Sequence, residues 1–296
     1  MRNPFAGKTE KGAHTQVITA VFLGLVLVGV FLTSAVSGRD PARMEAATQK
    51  SYLGFDRNDY PGDQNLAALR RTFSFAGYWL NTPPGAKSNS WAGKRSTMKK
   101  AGFGFLVLFN GRLDAELKKA DAGALGRSDA EAALAAAHRE GFTSRTVIFL
   151  DQEEGGRMLP EQKAYIYAWV DAVNAGGFRA GIYCSGIPVP EGTAHVTTAE
   201  DVREGAGERQ IVYWIVNDAC SPSPGCAFPR TSPRPSASGI SFASVWQFAR
   251  SPRQKEFAQR CSNYARDGNC YAPGLAEKGL YVDVDSAESA DPSAGR

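Results

Sequence analysis

The chain has 296 residues, of which 43% are hydrophobic and 22% are charged, proportions that are ordinary for a globular protein. The formal net charge of +4 is spread along the chain, and no long basic run alternates with aromatic residues. This pattern argues against nucleic acid as a partner, and the length is compatible with one or two domains.

The first predicted element is an apolar helix over residues 17–36, which contain no charged side chain. A helix of about 20 apolar residues is long enough to cross a bilayer. The leader before it, residues 1–16, carries three basic residues, which predicts that the leader stays in the cytoplasm. We expect an uncleaved signal anchor followed by a linker, residues 37–50. The alternative is a signal peptide cleaved after Ser37. Either way, the rest of the chain is exported to the bacterial cell envelope or beyond it.

From residue 51 onwards, short apolar segments alternate with helical patterns. The predicted strands are Tyr52–Phe55, Phe75–Leu80, Phe103–Phe109, Thr146–Leu150, Arg179–Cys184, Ile211–Val216, Ser244–Phe248 and Leu280–Val284. The predicted helices are Gln64–Thr72, Arg95–Ala101, Ser128–Glu140, Pro160–Ala175 and Thr198–Glu204. Ser128 and Glu131 form a capping-box pair, which predicts that the third helix begins there.

Eight strands alternating with helices over about 250 residues predict an α/β fold, a single (β/α)8 TIM-like barrel over residues 51–285. A doubly wound open sheet is the alternative, but no glycine-rich phosphate loop follows the first strand. The polar residues 286–296 predict a disordered tail.

Acidic residues lie at the ends of three predicted strands. Asp56 follows the first strand, Asp151 and Glu153 follow the fourth, and Asp283 with Asp285 closes the eighth. Active sites of such barrels are built at the carboxyl ends of the strands, so we expect these acids to meet. Residues two apart on a strand point to the same face, and paired carboxyl groups are what glycosidic bond cleavage requires.

Aromatic and amide side chains in or after the strands complete a predicted carbohydrate cleft. Sugar faces stack on aromatic rings, although each ring taken alone could equally belong to the core. The candidate substrate-binding residues are Tyr78, Trp79, Asn110, Tyr183, Trp214, Trp246 and Gln247. We expect no cofactor and no metal, because no histidine falls at a strand end with ligand spacing. A carboxylate-only site for a hard cation is the alternative.

The cysteines fit an oxidising compartment. Cys220 and Cys226 bracket a short Ser- and Pro-rich loop, and Cys261 and Cys270 bracket a second polar loop. Both pairs are predicted to form local disulfide bonds. Cys184 is left over and is expected to be a buried, inert thiol.

Several of these motifs, in this order, resemble family-25 glycoside hydrolases, the lysozyme-type muramidases. An even closer resemblance is to a related glycoside-hydrolase-like barrel family of unknown function. The resemblance covers residues 52–285, and the motifs that carry it are Gly54-Phe-Asp56, Tyr60-Pro-Gly62, Leu150-Asp151-Gln-Glu153, Gly181-Ile-Tyr183, Val212–Val216, Val245-Trp-Gln-Phe248 and Val282-Asp283.

The resemblance implies that Glu153 is the general acid and that Asp151 is its partner, which stabilises developing positive charge or orients an N-acetyl group. Asp56 and Asp283 would line the floor of the cleft. Glu154 stands beside Glu153, so the acid could be either residue. The implied function is an exported hydrolase of a β-linked amino-sugar polymer, with peptidoglycan the expected substrate. The alternative is a catalytically inactive glycan-binding or envelope protein on the same barrel.

Overall fold

The computed structural model describes residues 50–218, 231–249, 274 and 278–296. The predicted leader, apolar helix and most of the linker, up to residue 49, lie outside the described residues. The same is true of the cysteines predicted to form disulfide bonds, which are Cys220, Cys226, Cys261 and Cys270. Within the described part of the chain, no helix combines the length and the apolarity that crossing a membrane requires.

Eight strands close into a barrel, which confirms the predicted fold class. In chain order they are β1 (Tyr52–Asp56), β2 (Phe75–Trp79), β3 (Gly104–Asn110), β4 (Val147–Asp151), β5 (Arg179–Ser185), β8 (Val212–Val216), β9 (Val245–Ala249) and β10 (Asp283–Ala287). The order around the barrel is β1-β10-β9-β8-β5-β4-β3-β2. A separate hairpin, formed by β6 (Val189–Glu191) and β7 (Ala194–Val196), was not predicted from the sequence.

The last strand differs from the all-parallel prediction. β10 pairs antiparallel with both β1 and β9, whereas the other pairs in the barrel are parallel. It also begins three residues later than the predicted Leu280–Val284. Because its direction is reversed, Asp283 stands at the start of the strand and faces Asp56 at the end of β1.

Helices cover the outside of the barrel. They are α1 (Leu66–Arg70), α2 (Arg95–Lys100), α3 (Asp114–Leu117), α4 (Ala122–Glu140), α5 (Pro160–Ala175) and α6 (Thr198–Gly205), with 3-10 turns at Asp63–Asn65 and Pro235–Ser238. The predicted start of α4 at Ser128 is wrong. Asp121 is the N-cap, and its side chain accepts a hydrogen bond from the Ala124 amide. The capping-box pair lies inside the helix.

The barrel is held by two apolar layers, one inside it and one between strands and helices. Phe149 and Trp214 form an edge-to-face ring contact, and both are buried. Phe55 packs against Phe73 and Phe103 on the opposite side of the sheet. Burial on both faces explains why the strands read as continuous apolar runs in the sequence.

The C-terminal residues are ordered, so the prediction of a disordered tail over residues 286–296 is wrong. The Ser293 amide donates to the Phe105 carbonyl at 2.9 Å, and the Val147 amide donates to the Ser293 carbonyl at 2.8 Å. The Val107 amide donates to Ser293 Oγ at 2.8 Å. Phe105 and Val147 lie at the starts of β3 and β4, so this segment covers the end of the barrel opposite the acids. Small residues let the chain approach closely there. Gly104, for example, leaves no room for a Cβ, which would lie 2.0 Å from the Ala290 carbonyl oxygen.

Candidate active site

The predicted acids meet at one end of the barrel. Asp56 and Asp151 are the last residues of β1 and β4, and Asp283 faces Asp56 across the antiparallel pair. Asp56 is 6% exposed and Asp151 is 5% exposed, so both carboxyl groups lie below the surface of the mouth. Glu153, two residues beyond Asp151, is exposed.

A hydrogen-bonded chain of side chains crosses the barrel beneath the mouth. The Tyr183 hydroxyl donates to Gln247 Oε1 at 2.9 Å, and Gln247 Nε2 donates to Asp56 Oδ2 at 2.7 Å. This chain fixes the amide orientation of Gln247, because its oxygen and nitrogen each face one partner. Tyr183 and Gln247, predicted as substrate-binding residues, therefore position Asp56.

Asp285 is the deepest acid of the cluster and was not assigned a catalytic role from the sequence. It is fully buried and lies opposite Gly54 in the register of β1 and β10. Trp214 Nε1 donates to its Oδ1 at 3.0 Å. The spacing of Asp283 and Asp285 was the available signal, since residues two apart on a strand share a face.

The buried acids hold their protons more tightly than free carboxylic acids. Burial, reinforced by the charge of Glu153, raises the pKa of Asp56 to about 6, although the hydrogen bond from Gln247 opposes the shift. Burial, then the charges of Glu153 and Asp56, raise the pKa of Asp151 well above its usual range. Burial and the nearby Asp56 do the same for the pKa of Asp285. Like charges this close disfavour joint ionisation, so the cluster retains protons at mildly acidic pH.

Glu153 and Glu154 have different environments. Glu154 Oε2 accepts hydrogen bonds from the Asp114 amide at 2.9 Å and from Gln162 Nε2 at 2.6 Å. These contacts tie Glu154 to the starts of α3 and α5. The exposed Glu153 carboxylate makes no such bond within the described residues. Of the two acids that the sequence left as alternatives, Glu153 is the one that is available to a ligand.

The loop after β4, which carries Glu153, is clamped by a buried carboxylate. Asp201 on α6 accepts hydrogen bonds from Arg157 Nη1 at 2.7 Å, Lys163 Nζ at 2.9 Å and the Met158 amide at 2.9 Å. Arg157 also forms a bidentate pair with Glu191 of β6, with both N···O distances at 2.6 Å. The loop is thus held in place by α6 and by the β6–β7 hairpin.

Two of the predicted substrate-binding aromatics lie outside the barrel, and their assignment is corrected. Tyr78 is fully buried between the sheet and the helices, and its hydroxyl donates to Glu140 at the end of α4. Trp246 is also fully buried, with its Nε1 bonded to the Asn217 carbonyl. Neither ring reaches the mouth, because each side chain points away from the barrel axis.

The other predicted binding residues face the barrel interior or its rim. Trp79 is 3% exposed and donates to the Arg57 carbonyl at 3.1 Å. Asn110 lies beside Asp151 in the register of β3 and β4 and is half-buried. Trp214 is 1% exposed, so it supports the acids from below and offers no open ring face to a sugar.

Within the described ranges, no group of three His, Cys, Asp or Glu side chains has the arrangement of a metal site.

Comparisons with known proteins identify relatives of this barrel. The profile of the Rv2525c-like, glycoside hydrolase-like domain matches residues 73–223. An uncharacterized B. stearothermophilus protein of known structure is 20% identical with a TM-score of 0.51, over 80% of this chain and 95% of that one. This likeness supports the fold. No curated protein sequence matches the chain.

Two further solved structures are similar at lower scores. The Mycobacterium tuberculosis Tat-secreted protein Rv2525c is 12% identical with a TM-score of 0.45, over 84% of this chain and 98% of that one. The Clostridium perfringens spore cortex lytic enzyme SleM is 16% identical with a TM-score of 0.49, over 81% and 68%. The family profile spans just over half of the chain, and it confirms the resemblance drawn from the sequence motifs. The chain therefore belongs to the Rv2525c-like family of glycoside hydrolase-like domains.

Proposed function

We propose that this protein is an exported hydrolase that cleaves β-linked amino-sugar polymers, with peptidoglycan as its substrate and Glu153 as the general acid. Export is supported by the apolar residues 17–36 and the basic leader before them. Membership of a glycoside hydrolase-like family supports the reaction class.

The observation that carries the proposal is the position of Glu153 above the buried acids. Glycosidic cleavage needs a carboxylic acid that reaches the leaving oxygen and a second carboxyl group on the other side of the reacting centre. Glu153 is exposed at the mouth, whereas Asp151 and Asp56 lie below it with raised pKa values. Besides burial, the charge of Glu153 raises the pKa of both lower acids, which places the three carboxyl groups close to one another.

Asp151 has an atom that a substrate can satisfy. Its Oδ1 is buried and has no hydrogen-bond partner among the described residues. A buried acceptor without a donor costs free energy, and an amide N–H of an N-acetyl substituent would remove that cost. Of the two roles that the family resemblance implies for Asp151, this geometry favours orienting the N-acetyl group.

A second function, glycan binding without hydrolysis, is favoured by the burial of the acids. Asp285 is fully buried beneath Asp56, and Trp214 and Gln247 bond to these two carboxyl groups. Such a network can stabilise the mouth of a barrel that binds sugars and does no chemistry.

The test is the release of reducing ends from peptidoglycan and from chitooligosaccharides by wild type, Glu153→Gln and Glu154→Gln. General acid assistance contributes about 10²–10⁴-fold to rate, so Glu153→Gln should lose activity by that factor while its thermal unfolding is unchanged. Glu154→Gln is the matched control, because it changes the neighbouring acid, which bonds to Asp114 and Gln162. It should keep its activity.

Full turnover by Glu153→Gln would remove Glu153 from the mechanism. Binding of both polymers by the wild type without any product would establish the second function instead.

A further inference from the structure

A cavity of about 520 Å³ opens beside the acid cluster. It lies between the loop after β1, the loop after β2 and the residues that precede β10. Its charged and polar lining includes Arg57, Asp59, Lys87, Ser88, Tyr281 and Asp283. Small-molecule pockets in proteins span about 300–1,000 Å³, so the cavity can hold one sugar unit with its substituents. Asp283 belongs both to this cavity and to the acid cluster.

Arg57 is the unusual member of this lining. Its Nε and Nη1 are shielded from solvent, and neither has a hydrogen-bond partner in the part of the chain that the structure describes. The guanidinium lies over the ring of Tyr281, 5.3 Å from the ring centre. Burial lowers the pKa of Arg57, and the nearby charge of Asp59 opposes that shift without cancelling it. Two guanidinium nitrogens that have lost water without gaining an acceptor are groups that an incoming anion stabilises.

We propose that this cavity binds a carboxylate-bearing substituent of the glycan, with Arg57 as its counter-charge. The inference rests on the proposed function and specifies the substrate further. A carboxylate presents two oxygens to the planar guanidinium, which makes this pairing stronger than one with a neutral hydroxyl. Lys87 adds a second, exposed cation to the wall. Asp59 and Asp283 oppose the anion from the same wall. Asp59 is exposed to solvent, and its charge is screened there.

Asp283 lines both the cavity and the acid cluster, so it sets the position of the carboxylate substituent relative to the glycosidic bond that is cleaved. A sugar in the cavity is adjacent to the one above Asp56 and Asp151. The enzyme would then recognise an acidic sugar next to the bond it cleaves. The lactyl ether of an N-acetylmuramic acid unit and the C6 carboxylate of a uronic acid both supply this group.

The experiment measures dissociation constants by calorimetry on the full chain carrying Glu153→Gln, so that no ligand is hydrolysed. The matched ligands are N-acetylglucosaminyl-N-acetylmuramic acid with its carboxylate free and the same disaccharide with that carboxylate amidated. The free acid should bind about 10- to 100-fold more tightly, and the preference should shrink as salt rises. A uronate-containing disaccharide that binds more tightly still would support the site and assign the carboxylate to C6.

Adding Arg57→Gln to this protein should abolish the preference for the charged ligand. Arg57→Lys should keep part of it, because the charge remains without the planar fork. Arg139→Gln is the matched control, since it removes an exposed arginine from the end of α4, at the opposite end of the barrel. It should leave the preference intact.

The proposal is overturned if the parent protein binds both disaccharides equally or binds neither, or if the preference survives Arg57→Gln. The affinities of the two disaccharides for the Glu153→Gln protein test the proposal even if the Arg57 variants fail to fold. Preference for the charged ligand in a protein that hydrolyses nothing would refute the proposed function and leave this site standing.

Discussion

Asp56 and Asp283 face each other across the antiparallel pair of β1 and β10. This pairing brings an acid from the start of one strand to the end of another. It also places Asp285 directly below, opposite Gly54. The acid cluster therefore depends on the reversed direction of the last strand as much as on the motifs of β1 and β4.

The first prediction concerns pH and Asp56. Its pKa in the folded protein, about 6, lies above the ordinary value of 3.8, so the folded state binds this proton more tightly than the unfolded chain does. The resulting stabilisation is fully present below about pH 4 and is lost as pH rises through about 6. Asp56→Asn mimics the protonated form at every pH. The unfolding free energy of the wild type, relative to this variant, should fall by about 3 kcal/mol at most between pH 4 and pH 7.

Urea denaturation at a series of pH values measures this difference. Glu131→Gln, which removes an exposed carboxylate from α4, controls for the loss of one negative charge. A difference between wild type and Asp56→Asn that does not change with pH would contradict the prediction.

The second prediction concerns the clamp at Asp201. Burial alone would raise the pKa of Asp201, but hydrogen bonds from Lys163 and the Met158 amide, together with the charges of Lys163 and Arg157, hold it below the usual value. Asp201→Asn should therefore destabilise the protein above about pH 4 by about 1–3 kcal/mol, and the deficit should shrink as pH falls further. Because the loop also carries Glu153, turnover should fall as well.

Asp171→Asn is the control, since it breaks an exposed pair with Arg209 in which the Asp171 side chain is 55% exposed. Exposed pairs contribute about 1 kcal/mol or less. Equal stability losses in the two variants would show that Asp201 contributes no more to the unfolding free energy than a surface acid does.

The third prediction concerns Ser293. Its Oγ accepts from the Val107 amide inside the barrel wall, and Ser293 is fully buried. Ser293→Ala leaves that amide without an acceptor, which should cost about 1–3 kcal/mol in unfolding free energy. Activity should persist at temperatures where the variant is folded, because Ser293 lies at the end opposite the acids. Ser128→Ala, on the exposed face of α4, should change stability by about 0.5 kcal/mol or less.

The fourth prediction concerns the cysteines. Peptide mapping without reduction should find Cys220 bonded to Cys226 and Cys261 bonded to Cys270. Cys184 should resist alkylation until the protein unfolds, because it is fully buried and burial raises the pKa of its thiol to about 12. A cross-link from Cys184 to any of the other four would refute this scheme.

The strands and their order were predictable because barrel strands are buried on both faces. Runs such as Val147–Leu150 are typical of strands that are buried on both faces. Their spacing along the chain predicted the number of strands. The face of the sheet to which each side chain points was also predictable. Tyr78 and Trp79 are adjacent, as are Trp246 and Gln247, so alternation allows only one of each pair to point into the barrel. The sequence interpretation assigned both residues of each pair to the cleft.

The direction of β10 and the ordered structure of the C-terminal segment could not be predicted in this way. The alternation of Val and Asp in β10 is the same read from either end, so it does not distinguish a parallel from an antiparallel strand. Residues 286–296 have few apolar side chains, and their order comes from main-chain hydrogen bonds, such as the one between the Ser293 amide and Phe105. Hydropathy has no signal for such bonds. The separation of Glu153 from Glu154 likewise depends on Asp114 and Gln162, which no local motif connects to them.

The closure of the barrel by β1 and β10 has a consequence for how the chain folds. Tyr52 pairs with Ala287, 235 residues later, and contacts so distant in sequence form slowly because a long loop must close first. Until β10 arrives, β1 and β9 are open strand edges, which readily pair with other chains. If the first strand of the barrel emerges from a membrane before the last one, β1 waits with one edge open, because β2 covers only its other edge. The export that we propose should therefore be sensitive to factors that shield strand edges during translocation.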